Sequence, residues 1–226
     1  MNRLGHQPKK PSSEILVNSH TILVGSFEAA SSFLNLFEET RRSRKAKGTP
    51  TDREQDLLRA MLVFASAGLD SMLKQLIRDA LAAVIERHEG ARARFKLFVE
   101  KRLSRQGSLD PKFLSDVLTG TNPREVMLRE LVKDLTSSSL QSKEQILVAA
   151  SYFDIPSSDL TSDLRKLEQI FLARNQISHE MDVDLSQKNR NRRPRRRDEM
   201  IEHTKFILQL STSLLVEVDK RLKQNS

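Results

Sequence analysis

The stretch from Thr51 to about His88 constrains the fold more than any other. Leu57, Leu58, Met61, Leu62, Ala65, Leu69, Leu73, Leu76, Ile77 and Leu81 recur along it at helical spacing. A helix that long, with so continuous an apolar stripe, is stable only where other elements cover the stripe. The sequence also marks its start: Lys47-Gly48-Thr49-Pro50 stops what precedes it, and Thr51 or Asp52 can cap its first turn.

Further helices are expected to do the covering. A first helix should run from Ser12 or Ser13 to about Lys45, burying Leu16, Leu23, Phe27, Phe33, Leu34 and Phe37. A third should span Ala91 to Leu103, with shorter pieces near Pro111 to Leu118 and Pro123 to Leu135, each opening on a proline suited to a first turn. The serine-rich segment 137–142 reads as a loop capping a helix from Lys143 to Tyr152, which Ile155-Pro156 ends. Ser158 or Asp159 then starts a helix reaching His179, with Leu160, Leu164, Leu167, Ile170, Phe171 and Ile177 on its apolar side. A last helix, about Asp198 to Leu222, turns Ile201, Phe206, Ile207, Leu210, Leu214, Leu215 and Val218 inward.

Seven glycines, seven prolines and few alternating β-branched runs argue against a sheet, so the expected class is all-α. One domain over residues 13–222 is expected. Residues 1–12, polar and basic with Pro8 and Pro11, read as a disordered tail, and 223–226 as a second short tail. The chain has no cysteine, which removes disulfides, thiolate metal sites and a cysteine nucleophile and suits a cytoplasmic protein. The apolar stretch Ile15 to Phe37 is interrupted by Asn18, His20, Glu28 and Asn35, so neither export nor a membrane partner is expected.

The net charge of +8 is unevenly placed. Lys188, Arg190, Arg192, Arg193, Arg195, Arg196 and Arg197 fall in the segment 185–197, which contains no acid, and Arg3, Lys9 and Lys10 in the N-terminal tail. The body between is slightly acidic, so affinity for nucleic acid reduces to one basic loop and one tail. That loop is either a solvated charge run or a binding site for RNA phosphates.

Just before it stands Arg174-Asn175-Gln-Ile-Ser-His179. Guanidinium binds phosphate oxygens bidentately, and imidazole exchanges protons near neutral pH, so the pair suits phosphodiester chemistry. Asn175 lies four residues before His179, on one helix face. Arg174 sits about 140° round the helix from His179, and its long side chain is needed to converge on it. Arg197 and His203 satisfy a looser version of the spacing but straddle a loop-to-helix boundary. His6, His20 and His88 have no metal-ligand spacing, and no cofactor-binding motif is present. Asp70 and Lys74 form an i, i+4 pair, either a surface ion pair or part of a cleft wall.

The motif resembles that of the HEPN superfamily: arginine, often a polar residue next, then histidine after four to six intervening residues near the end of a helix. The order of elements is similar as well, over most of residues 13–222. The resemblance implies an HEPN-like helical bundle and a metal-independent endoribonuclease. It implies a homodimer in which two motif helices build a composite RNA-cleaving cleft, in toxin or antiviral-defence systems where an antitoxin or sensor protein exerts control. His179 would be general base or acid, Arg174 would stabilise charge on the phosphate, and Asn175 would orient the imidazole or bond the phosphate. Some HEPN toxins carry a modifiable tyrosine two residues after the histidine; here that position is Met181. A catalytically inactive helical module binding RNA or a protein partner is the alternative, and a small DNA-binding regulator a third. The bland reading pairs Arg174 with Glu168 or Glu180 and leaves His179 a helix-terminal histidine.

Overall fold

The computed structural model describes residues 4–45, 47–103, 115, 117–161 and 163–223. After a 3-10 turn at Glu14–Leu16 come α1 (Val17–Ser43), α2 (Asp52–Arg87), α3 (Glu89–Leu103), α4 (Pro123–Thr136), α5 (Lys143–Tyr152), the single turn α6 (Ser157–Leu160), α7 (Leu164–Glu180) and α8 (Arg197–Lys223). No strand occurs among the described residues, and the protein is all-α. The helix expected near Pro111 to Leu118 lies largely outside the described residues.

The long second helix is the hub. Thr51 caps it through a capping box: its side chain accepts the Glu54 N–H, while Glu54 accepts the Thr51 N–H at 2.7 Å. Glu54 also receives Arg41 and Arg44, which closes the turn from α1. Arg41 meets Glu54, Ser26 meets Gly68 and Asn18 meets Asp79, so α1 and α2 run antiparallel over their whole length. A Cβ at position 68 would stand 2.1 Å from Ser26 Oγ, so the crossing needs glycine there. Helix α8 runs parallel to α2, with Gln55 bonded to Arg195 at one end and His88 to Arg221 at the other. Helices α3, α4, α5 and α7 also pack on α2. Its residues from Leu58 to Ile85 therefore form the spine of the core. Among the described helices α2 alone is long and apolar enough to cross a membrane, and here its apolar stripe is covered by protein.

Three expectations need correction. The N-terminal segment is anchored, not free: Leu4 is 1% exposed and Pro8 buried, although His6, Gln7, Lys9 and Lys10 are exposed, and Ser12 gives both its N–H and its hydroxyl to Asp219 on α8, joined by the Ser13 N–H. Ser13 accordingly makes no side-chain cap for the first helix. The motif helix does not start at Ser158 or Asp159. Ser157–Leu160 is one separate turn, Thr161 is extended, and Asp163 caps α7 by accepting the Lys166 N–H at 2.8 Å.

On α8, His203 is buried at 8% exposure and its Nδ1 has no partner among the described residues. Burial pushes its pKa below the ordinary value of 6.5; Lys166 and Arg195 add to this, while Glu199 and Glu202 oppose it. In the window below 6.5 the unfolded chain takes up a proton that the folded chain refuses. Stability therefore falls as pH drops through that window, by at most about 1.4 kcal/mol per pH unit. The melting temperature should decline between pH 7 and 5.5, and His203→Gln should flatten the decline; an equal slope in wild type and variant would contradict this.

Candidate active site

Helix α7 ends in an unusual way, and the ending holds its last turns in place. Met181 and Asp182 both have left-handed backbone, φ 51° and 61°, and both return their N–H groups to the Gln176 carbonyl. Such residues cost on the order of 1–3 kcal/mol each and persist only where the surroundings impose them. Here Asp182, fully buried, does the imposing. Arg59 on α2 gives Nε to its Oδ2 at 2.7 Å, while Arg195 forks onto it, Nε to Oδ2 at 2.9 Å and Nη2 to Oδ1 at 2.5 Å. The Asp182 carbonyl accepts the Arg193 N–H at 2.7 Å, and the Arg193 carbonyl accepts Arg59 Nη2 at 2.9 Å. Arg195 also reaches Gln176 Oε1, which ties the knot back into α7. Local sequence carried no sign of this: Arg59 and Asp182 are 123 residues apart.

One turn before the knot, the expected residues converge. Arg174 Nη1 donates to Asn175 Oδ1 at 3.0 Å and approaches His179 Nε2 at 3.4 Å. A guanidinium only donates, so Nε2 is the ring atom placed to accept in that contact. Asn175 thus orients the guanidinium; among the described residues no bond joins it to the imidazole. Asn175 and His179 are exposed and Arg174 partly buried, with its Nε enclosed and without a partner among the described residues. Burial lowers the Arg174 pKa, and the charge of Asp70 opposes that.

The bland account of this arginine does not hold. Glu168 is taken by Lys143 and Glu180 by Arg193, at 2.9 Å in the second case. Among the described residues no carboxylate lies within 4 Å of Arg174. Arg197 and His203, by contrast, share nothing: Arg197 pairs with Glu38 and Asp198.

The seven cations expected as one RNA-binding track divide. Arg195 is buried in the Asp182 knot, Arg192 pairs with Asp56 at 2.6 Å, Arg193 with Glu180, and Arg197 with Glu38 at 2.6 Å. The segment contains no acid, but folding supplies acids from α1, α2 and the end of α7. Lys188, Arg190 and Arg196 remain exposed, with no carboxylate within 4 Å among the described residues. A bridge between Val183 and Arg192, with Asp184 N–H on the Asn191 carbonyl, folds the segment into a hairpin-like arm with Lys188 and Arg190 at its tip.

The site is open. A cleft of about 530 Å³ between α3, α4 and α5, and another of about 570 Å³ between α2 and α4, include none of Arg174, Asn175 or His179. An open face suits a polymer or a second protein surface better than an enclosed small molecule. Among the described residues no three His, Asp or Glu side chains are grouped as a metal site requires. Comparison with protein-family models, curated proteins and solved structures gave no match to this chain.

Proposed function

We propose that the chain is an HEPN-like, metal-independent endoribonuclease of the toxin or antiviral-defence type, acting as a homodimer on RNA. One observation carries this reading: Arg174 folds round α7 onto Asn175 and His179 while every nearby acid is engaged elsewhere. A guanidinium without an ion-pair partner among the described residues, set against an imidazole on an open face, is prepared for an anion.

The chemistry follows from these atoms. A phosphate displaces the weak Arg174-to-His179 contact, and the guanidinium moves its bonds to the non-bridging oxygens, where negative charge grows in the transition state. Nε2, released, accepts the proton of the ribose 2'-hydroxyl as that oxygen attacks phosphorus. The bond from phosphorus to the 5'-oxygen breaks, leaving a 2',3'-cyclic phosphate and, once a proton is delivered, a 5'-hydroxyl. DNA has no 2'-hydroxyl and should resist.

In-line attack places the entering and leaving oxygens on opposite sides of phosphorus, beyond the reach of one imidazole. A second copy, related by a two-fold axis, supplies the second imidazole as acid. Leu172 is 60% exposed and shares the α7 face of Asn175 and His179, so an uncovered apolar residue stands where a second copy would dock. Cleavage of RNA in excess EDTA by wild type, with loss in the Arg174→Ala and His179→Ala variants, tests the reading.

Lys188, Arg190 and Arg196 serve flanking RNA. Replacing all three by glutamine in a His179→Ala background should flatten the salt dependence of RNA binding, lowering the log–log slope by about 2 for three lost single-strand phosphate contacts. Fluorescence anisotropy titrations from 50 to 200 mM salt (~fourfold, the usual window) measure it. An unchanged slope returns the arm to a solvated charge run.

A further inference from the structure

The cleft of about 530 Å³ between α3, α4 and α5 takes no part in the proposed cleavage, and its lining has a chemistry of its own. Arg94, Leu97, Phe98 and Lys101 fall at i, i+3, i+4 and i+7, so they share one face of α3. By the same spacing Glu130, Lys133 and Asp134 share a face of α4, and Val148 and Tyr152 a face of α5. Three helices thus turn one stripe each toward a common space, and its volume is that of a small-molecule pocket. Leu97 and Val148 are 55% and 50% exposed. With Phe98 and the Tyr152 ring they give the cleft an apolar lining suited to the face of a heteroaromatic ring.

The charges are arranged as unevenly as the apolar groups. Glu130 is taken by Arg102 at 3.5 Å and by Lys133 at 3.9 Å. Arg94 and Lys101 have no carboxylate within 4 Å among the described residues, and Asp134 has no cation within that distance. An anion is therefore drawn to α3, and a group bearing N–H or O–H donors to Asp134 on α4. Arg94 and Lys101 lie two turns apart, about 10 Å along the helix, a spacing that brackets a chain of phosphates better than a single one. Burial raises the pKa of Tyr152, the only tyrosine of the chain; Asp134 adds to this and Arg94 opposes it. At neutral pH its phenol is protonated and offers a donor.

We infer that this cleft is a binding site for a free nucleoside di- or triphosphate: Arg94 and Lys101 hold the phosphates, the apolar lining takes the base, and Asp134 accepts a hydrogen bond from a ribose hydroxyl or a base amino group. Each simpler ligand leaves part of the lining unmatched. Inorganic pyrophosphate has nothing for the apolar wall and is repelled by Asp134. A nucleoside leaves the two cations without a counter-charge, and a fatty acid offers Asp134 no donor.

The inference does not rest on the endoribonuclease reading, and binding alone tests it. Wild-type protein is titrated by calorimetry, in EDTA at physiological salt, with ATP, GTP, CTP and UTP, and with adenosine and inorganic pyrophosphate as the two halves of such a ligand. At least one triphosphate should bind with Kd at or below about 100 μM, and each half at least about tenfold more weakly. Arg94, Lys101 and Asp134 are exposed, so their replacement should leave the melting temperature unchanged. Arg94→Gln with Lys101→Gln should weaken the triphosphate by about tenfold or more. Asp134→Ala removes a repulsion felt by both anions but an acceptor used only by the nucleoside. The preference for triphosphate over pyrophosphate should therefore fall by about tenfold in that variant. Three results would overturn the inference. One is no triphosphate binding at about 1 mM, and another is pyrophosphate binding as tightly as any triphosphate, the mark of a plain anion patch. The third is triphosphate binding untouched by the Arg94 and Lys101 changes, which would place the nucleotide elsewhere on the protein.

Discussion

Asp182→Ala should be the most damaging single substitution for stability, costing roughly 3–5 kcal/mol, because it leaves two buried guanidinium groups without their shared carboxylate. Arg59 and Arg195 both depend on Asp182, and Arg195 is itself only 8% exposed. The loss should exceed that from Glu54→Ala, since the exposed Arg44 can turn to water when Glu54 is removed. A second effect is local. Met181 and Asp182 hold left-handed backbone only while the knot grips them, so the turn bearing His179 should fray when the knot is cut. Urea denaturation followed by circular dichroism gives the first quantity, and hydrogen exchange at residues 176–182 the second. A change under about 1 kcal/mol, within the range of ordinary surface substitutions, would mean that the buried pairs contribute little and that α7 ends for another reason.

Arg174→Ala and His179→Ala should each lower kcat by about 10²–10⁴-fold with no comparable loss of stability. The magnitudes follow from the roles. Removing a positioned acid–base group forfeits about two to four powers of ten, and removing a preorganised charge from the developing oxyanion about two to three. Both residues act in one step, so the double variant should be little worse than either single one. His179 and Asn175 are exposed, and Arg174 makes no ion pair among the described residues, so the changes orphan no buried charge there. Asn175→Ala should cost less, since it takes away one bond that orients the guanidinium. Wild-type rates in all three variants would contradict the account, whereas lost activity together with a lowered melting temperature would point to a structural role.

What the sequence reveals and what it hides follows one division. Features set by a few neighbouring residues were legible. Thr51, the serine-rich loop ahead of Lys143 and the proline at 123 opened α2, α5 and α4 where expected, because such signals act within one turn. The apolar stripe of α2 identified the spine for the same reason. The convergence of Arg174 on Asn175 and His179 was legible too, since six consecutive residues carry it.

Features set by remote partners were hidden. Ser12 and Ser13 look like helix caps, but a carboxylate on α8 claims their N–H groups and draws the N-terminal segment onto the body. Ser158 and Asp159 look like a helix start, but Asp163 offers a cap nearer the apolar stripe, and α7 begins there. The basic segment looked like a continuous positive surface because its neutralising acids, Asp56, Glu38 and Asp182, come from other parts of the chain. Local composition cannot show pairing across 123 residues.

The most direct measurement is the end chemistry of RNA cut by the wild-type protein. Single-stranded RNA of mixed sequence, incubated with the protein in excess EDTA and examined by mass spectrometry, should yield fragments ending in 2',3'-cyclic phosphate and beginning with 5'-hydroxyl, and none with the Arg174→Ala or His179→Ala protein. Intact RNA, or fragments carrying 5'-phosphate, would contradict attack by the 2'-hydroxyl at a site built from Arg174 and His179.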